Sequence, residues 1–269
     1  MLLKIRHETK YLHASSVSYG LMELRMMPRQ HAIQNVVGWT VTLNGAEEQL
    51  RFTDQHRNEV ILAAHHGESR EITVACEGEV ETRDTAGVVG EHAGFAPLWY
   101  YKRQTPLTQP ASRGRALLRE AGSDHETDVT QLHALSALIL NAVSYETGVT
   151  SSETTAEEAL EVGKGVCQDH THILIGLARE LGFPARYVSG YLMMNDRVDQ
   201  EAGHAWAEVY FNGLGWVGFD VSNGISSDAR YVRVAVGLDY REAAPVTGLH
   251  HGKGDRGNDK MLVNIQVQQ

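Results

Sequence analysis

One cysteine, one histidine and one aspartate in this 269-residue chain stand in surroundings suited to a nucleophile, a base and an orienting acid. Cys167 lies in GVCQDHTHIL (165–174), directly after Gly163, Lys164 and Gly165, a loop that resists helix formation. Beyond it Ile173, Leu174, Leu177, Ala178 and Leu181 fall at helical spacing until Gly182 and Pro184 stop the run. The thiol is therefore expected at the N-terminus of a mostly buried helix. There the macrodipole and the unpaired backbone N–H groups favour a thiolate, and the same N–H groups can stabilise an oxyanion. A lone cysteine is more often a small buried apolar residue, but two further segments count against that reading here. His204 opens GHAWAEVYF (203–211) and Asp220 closes GWVGFD (215–220), two strand patterns joined by a turn at Asn212, Gly213, Leu214 and Gly215. Thiol, imidazole and carboxylate are the parts of base-assisted nucleophilic catalysis.

The carboxylate reaches the imidazole only if His204 and Asp220 share one face of the hairpin. A two-residue turn at Asn212–Gly213 would pair Phe211 with Leu214 and point Asp220 away. A three-residue turn, Asn212 to Leu214, pairs Phe211 with Gly215 and sets Asp220 opposite Trp206, one diagonal from His204. The second register, or a bulge equivalent to it, is expected although Asn-Gly ordinarily favours the two-residue turn. Trp206 shares the His204 face. It is a candidate for lining the substrate cleft or walling the imidazole from water, with a plain core tryptophan as the alternative.

GVCQD on its helix, followed by GFPARYVSGYL (182–192), GHAW and GWVGFD, resembles the transglutaminase-like cysteine-enzyme superfamily. The similarity is greatest to its bacterial branch, in which an N-terminal β domain precedes the catalytic core, and GLDYREAAPVTG (237–248) is similar to that branch as well. The resemblance implies an α+β protein with a papain-like core, in which the cysteine helix packs on an antiparallel sheet. It implies Cys167, His204 and Asp220 as the catalytic triad and a peptide or protein amide as substrate. Hydrolysis of amide or isopeptide bonds through a thioester is the expected activity. Capture of the same thioester by an amine, or a non-catalytic interaction module, are the alternatives. Animal transglutaminases use a tryptophan upstream of the cysteine to hold the oxyanion. Here the tryptophans are Trp39, Trp99, Trp206 and Trp216, so the Cys167 N–H and another side chain must take that role. An acidic calcium loop is also lacking, which argues against calcium-activated cross-linking.

Composition fits an ordinary soluble globular protein, and no cofactor is expected. Asp and Glu outnumber Lys and Arg by 34 to 24, a formal charge of −10 that argues against a nucleic-acid partner. No apolar run has the length of a membrane span, and the opening MLLKIRHETKYLH is too weakly apolar for a signal peptide. The two cysteines, Cys76 and Cys167, are expected to be reduced in a cytoplasmic protein, with Cys76 a packing residue in EITVACEGEV (71–80).

Period-two patterns at 3–11, 20–28, 37–44, 49–54, 59–66 and 70–80 predict a β-sandwich-like domain over 1–100. Pro97, Pro106 and Pro110 mark a linker into a catalytic domain at 101–269. In that second part helices are expected at 112–121, 129–145 and 156–162, the last begun by a Thr155–Glu158 capping box. Strands follow at 185–194, 204–211, 215–220 and 231–237. A terminal strand at 261–267 could join either sheet. Asp169 reads as a cap of the cysteine helix. His170 and His172 stand two apart and do not converge as metal ligands would, so no metal is expected. Arg186 and Tyr187 read as structural. Glu208 is expected to be solvated, as are the pairs His65–His66 and His250–His251.

Overall fold

Alternation in β1 (Leu2–Leu12) and β2 (Tyr19–Met27) buries every second side chain, the pattern of strands with one face on a core. A computed structural model describes residues 1–13, 19–66, 70–122, 127–251 and 260–269. With β3 (Gln34–Asn44), β4 (Glu47–Thr53), β5 (Glu59–His66) and β6 (Glu71–Thr82), these strands build two facing antiparallel sheets. Leu3, Ile5, Leu24, Ile61, Val74 and Cys76 fill the space between them.

A third sheet carries the strands read at 185–194, 204–211, 215–220 and 231–237. They appear as β10 (Ala185–Leu192), β12 (His204–Phe211), β13 (Gly215–Phe219) and β14 (Tyr231–Gly237), in the order β14-β10-β12-β13. Helices α1 (Ser112–Ala121), α2 (Asp128–Ala142), α3 (Ala156–Val162) and α4 (Cys167–Glu180) gather on one side of it. Ile173, Leu174, Leu177 and Ala178 of α4 bury their side chains against Ala205, Ala207 and Val209 of β12 and Ala185 of β10. The whole is a mixed α+β fold, helices on antiparallel sheets beside a strand-rich N-terminal part.

Chain segments cross the 100/101 division in both directions. β7 (Val88–Gly90) adds the far edge strand to the third sheet, beside β13. Conversely, β15 (Val246–His251) pairs with β2, and β16 (Lys260–Gln268) lies against β1 in the first sheet. A two-residue strand, β11 (Asp199–Gln200), extends that sheet on the other side of β16.

Two expectations are corrected here. The proline-rich stretch from Pro97 to Pro110 is not a loose linker. Tyr101, Leu107 and Thr108 are fully buried, and the Arg179 guanidinium of α4 donates to the Tyr101 and Leu238 carbonyls and to Thr108 Oγ1. A Cβ on Gly176 would fall 1.9 Å from the Thr108 carbonyl oxygen, so glycine lets this segment press onto α4. The second helix also ends earlier than its periodicity suggests. α2 closes at Ala142, and β8 (Ser144–Tyr145) turns away to pair in parallel with β9 (Lys164–Gly165). A strand contact won over the helical pattern. By contrast, α3 begins as its capping box requires, with Thr155 Oγ1 accepting from Glu158 N and the Glu158 carboxylate accepting from Thr155 N.

Candidate active site

Cys167 is the first residue of α4 and is partly exposed. Two features hold that helix start. Asp169 Oδ2 accepts from Val166 N at 2.8 Å and from the Thr150 hydroxyl at 2.7 Å, so Asp169 caps the helix. His170 bonds Ser222 Oγ and the Val143 carbonyl, each at 2.8 Å. His172 is buried inside, with Nε2 accepting from Tyr240 N at 3.2 Å. Burial pushes its pKa down to about 3, so it is a neutral packing residue at ordinary pH. Among the described residues no His, Cys, Asp and Glu side chains cluster as a metal site.

His204 opens β12 beside α4, and Asp220 follows the end of β13. The register joining them is the three-residue one: Phe211 pairs with Gly215 and Ala207 with Phe219, around the turn at Asn212–Leu214. Asp220 thereby faces the imidazole, and His204 Nε2 lies 2.6 Å from Asp220 Oδ2. With Nε2 engaged, Nδ1 is the nitrogen left for Cys167, whose interaction with the ring favours the protonated imidazole. Burial alone would lower the His204 pKa. The hydrogen bonds with Asp220 and Cys167 and their charges outweigh it and push the pKa up to about 10. Asp220 is completely buried, which opposes ionisation. Hydrogen bonds from His204, Asn223 and Tyr231 still hold its carboxyl below the usual range. Asn223 Nδ2 and the Tyr231 hydroxyl reach Oδ2, each at 2.7 Å, and Asn223 N reaches Oδ1 at 3.2 Å. Spacing alone did not single out Asn223 or Tyr231. The only available signal was that Tyr231 begins a readable strand, which in the sheet pairs it with Leu192, the last residue of β10.

Trp206 is 2% exposed and lies behind the imidazole, the two rings stacked at 6.2 Å with 26° between their planes. It is absent from the residues that line the cleft at His204. It packs in a buried cluster with Val188, Leu192, Tyr231 and Val236, as a core tryptophan would. Glu208 overturns the expectation of a solvated residue. It is fully buried opposite Arg186 and bonds Arg186 at 2.6 Å and Arg233 at 2.8 Å. The two guanidiniums hold its carboxyl low despite burial. His65 is likewise buried, with Nδ1 at 2.5 Å from the Gly45 carbonyl. The side chains of His66, His250 and His251 lie outside the described residues. Cys76 is buried in the sandwich, where burial pushes its thiol up to about 12.

An open cleft of about 780 Å³ ends at His204, walled by Tyr145, Met193, Arg197, Ser222 and Asn223. A Cβ on Gly190, opposite His204, would meet the Val232 carbonyl at 2.1 Å and the Trp206 ring at 2.9 Å, so glycine there lets the sheet close behind the site.

Comparison with known proteins bears on what this arrangement is. The family model of the transglutaminase-like superfamily matches residues 115–221, the span that contains Cys167, His204 and Asp220. That of the bacterial transglutaminase-like N-terminal region matches residues 3–81. The chain belongs to the transglutaminase-like superfamily. An uncharacterised protein of Mycobacterium leprae is 26% identical over 94% of both chains. The uncharacterised protein YebA of Bacillus subtilis is 30% identical over 79% of this chain and 30% of its own length. A crystal structure from Cytophaga hutchinsonii, described as that of a candidate cysteine protease, superposes with a TM-score of 0.78 at 21% identity. It covers 100% of this chain and 90% of that one, so the two share a fold over the full length of this chain. No described helix is long and apolar enough to cross a membrane.

Proposed function

We propose that this superfamily member is a cysteine-dependent enzyme that hydrolyses amide or isopeptide bonds of a peptide or protein. One observation carries the reading: the buried imidazole of His204, on the strand packed against the Cys167 helix, bonds Asp220 at 2.6 Å through Nε2 and leaves its other nitrogen for the thiol. Cys167, whose proton rests on His204, attacks the carbonyl carbon. The tetrahedral intermediate collapses to a thioester as His204 protonates the departing amine. Water, deprotonated by His204, then releases the acid. Asp220 fixes the ring orientation and offsets its positive charge, while Asn223 and Tyr231 hold the carboxylate in place. Trp206 walls the far side of the imidazole from water. The N-terminal sandwich, residues 1–100 in this division, serves as a scaffold for the catalytic part at 101–269.

The test is mass spectrometry of the protein with a glutamine-peptide library, with and without a primary amine. Hydrolysed peptide in both conditions, lost in Cys167→Ala, is the expected result. Predominant amine incorporation would reassign the chemistry to acyl transfer. No turnover and no adduct on Cys167 would reassign the protein to a binding role.

A further inference from the structure

Thioester chemistry places a negative charge on the carbonyl oxygen, and two donors commonly share it. The Cys167 N–H at the start of α4 has no intrahelical partner and can be one. The chain has no tryptophan between 100 and 205 to be the other. We propose that the Tyr145 hydroxyl is the second donor, which makes Tyr145 a catalytic residue for the activity proposed above, on which this inference rests.

Backbone geometry puts Tyr145 beside the nucleophile. It pairs in parallel with Gly165, two residues before Cys167. The placement is fixed on both sides, by Ser144 N donating to the Gly163 carbonyl at 3.0 Å and Glu146 N to the Gly165 carbonyl at 2.8 Å. The ring packs 6.3 Å from that of His170, on the first turn of α4. The residue is 53% exposed and lines the cleft that ends at His204. No hydrogen bond to another described residue occupies its hydroxyl, whereas polar neighbours are committed elsewhere. Gln168 donates to the Ser151 carbonyl, Ser222 bonds His170, and Asn223 bonds Asp220. Burial, then the negative charges of Cys167 and Asp220, raise the Tyr145 pKa above its ordinary value. The phenol therefore stays protonated near neutral pH, as a donor must.

In the step concerned, a bond forms between Cys167 Sγ and the carbonyl carbon while the C=O π pair moves onto oxygen. The thiol proton rests on His204. The Tyr145 O–H donates to the new oxyanion, and collapse restores C=O and expels the leaving group. Two small reagents separate this role from any other. Acylation of Cys167 by p-nitrophenyl acetate passes through such an oxyanion and releases p-nitrophenol. Alkylation by iodoacetamide displaces iodide with no oxyanion at all.

Tyr145→Phe keeps the ring and removes only the donor. We expect its acylation by p-nitrophenyl acetate to slow about 10²-fold, with alkylation by iodoacetamide unchanged. Equal acylation rates in variant and parent overturn the assignment. A parallel fall in both reactions also overturns it, since that would make Tyr145 a support for the thiol rather than a donor to the oxyanion. If the parent protein carries no acetyl group on Cys167, the thioester reading itself fails, and this inference with it.

Discussion

Tyr231 donates its hydroxyl to the same Asp220 oxygen that binds the His204 ring, at 2.7 Å against 2.6 Å. One lone-pair-bearing atom therefore serves both the base and a buried phenol, and Asn223 shares it too. The carboxylate is held by three groups, of which only the imidazole takes part in the proposed proton transfer. Asp220→Asn should lower turnover of a glutamine peptide by about 10²–10⁴-fold, because the ring loses both its orientation and its countercharge. Tyr231→Phe should cost far less, about tenfold, the scale of one hydrogen bond to a charged group. Steady-state kinetics of the two variants check the ranking, and equal losses would contradict it.

The two cysteines should differ sharply in reactivity. Cys76 is 1% exposed, its thiol is pushed up to about 12, and its Sγ contacts the Tyr191 hydroxyl at 3.3 Å. Iodoacetamide at neutral pH should label Cys167 in the folded protein and Cys76 only after unfolding. Peptide mapping decides this, and early labelling of Cys76 would refute it.

His204 should assist that labelling over a defined range of pH. Its pKa is raised from 6.5 to about 10, so its positive charge is present at neutral pH and is lost as pH rises through about 10. Replacing His204 by Ala removes a charge that favours the anionic sulfur. The alkylation rate of Cys167 should therefore fall at pH 6–7 and converge on the parent rate above about pH 10. An identical profile in the variant would leave the helix terminus as the only activator.

Glu208 is a stability determinant rather than a reactive group. Its fully buried carboxylate compensates Arg186, itself 6% exposed and stacked 3.8 Å over the Trp216 ring, and also Arg233. Glu208→Ala leaves two guanidiniums without their shared anion and should cost about 3–5 kcal/mol. Denaturant unfolding measures the loss. A change below about 1 kcal/mol, the scale of an exposed pair, would show that the network contributes little.

Acid should unfold the protein through its buried neutral histidines. His172 has its pKa lowered from 6.5 to about 3 and His7 from 6.5 to about 4, both by burial. Above pH 6.5 both are neutral in either state and cost nothing. Below it the unfolded chain binds protons that the folded chain refuses. Each histidine then removes roughly 1.4 kcal/mol per pH unit, until its folded pKa is reached. The Tm measured between pH 7 and 4 should fall, and His7→Gln should flatten the slope.

Much of this was legible from spacing. Apolar alternation located the sandwich strands, and the helical run after Cys167 located α4, because each pattern reflects one buried face. The hairpin register followed from parity: a three-residue turn, or a bulge equivalent to it, lets Asp220 face His204, and Phe211 does pair with Gly215. What spacing could not reveal were contacts made at long range. β7 and β11 have three and two residues, too short to carry a period. Glu208 looked solvated because a carboxylate in a strand usually is; the arginines that pair with it come from β10 and, one strand further, β14. Likewise, Tyr145 continued a helical pattern, yet the backbone bonds of its neighbours Ser144 and Glu146 to the Gly163 and Gly165 carbonyls draw it out of the helix and to the edge of the cleft.

The position of β16 between β1 and β11 bears on the order of assembly. The cleft wall around Asp199–Gln200 is tied by pairing to Gln266 and Ile265, and the Gln266 amide donates to Asp199 across 67 residues of chain. β16 in turn rests on β1, from the opposite end of the described chain. Contacts this distant in sequence form slowly, whereas the helix bearing Cys167 and the hairpin bearing His204 and Asp220 are built from near neighbours. During refolding, helical signal and the reactivity of Cys167 should return before discrimination among substrates does. The reacting groups can be in place while the cleft still lacks its wall.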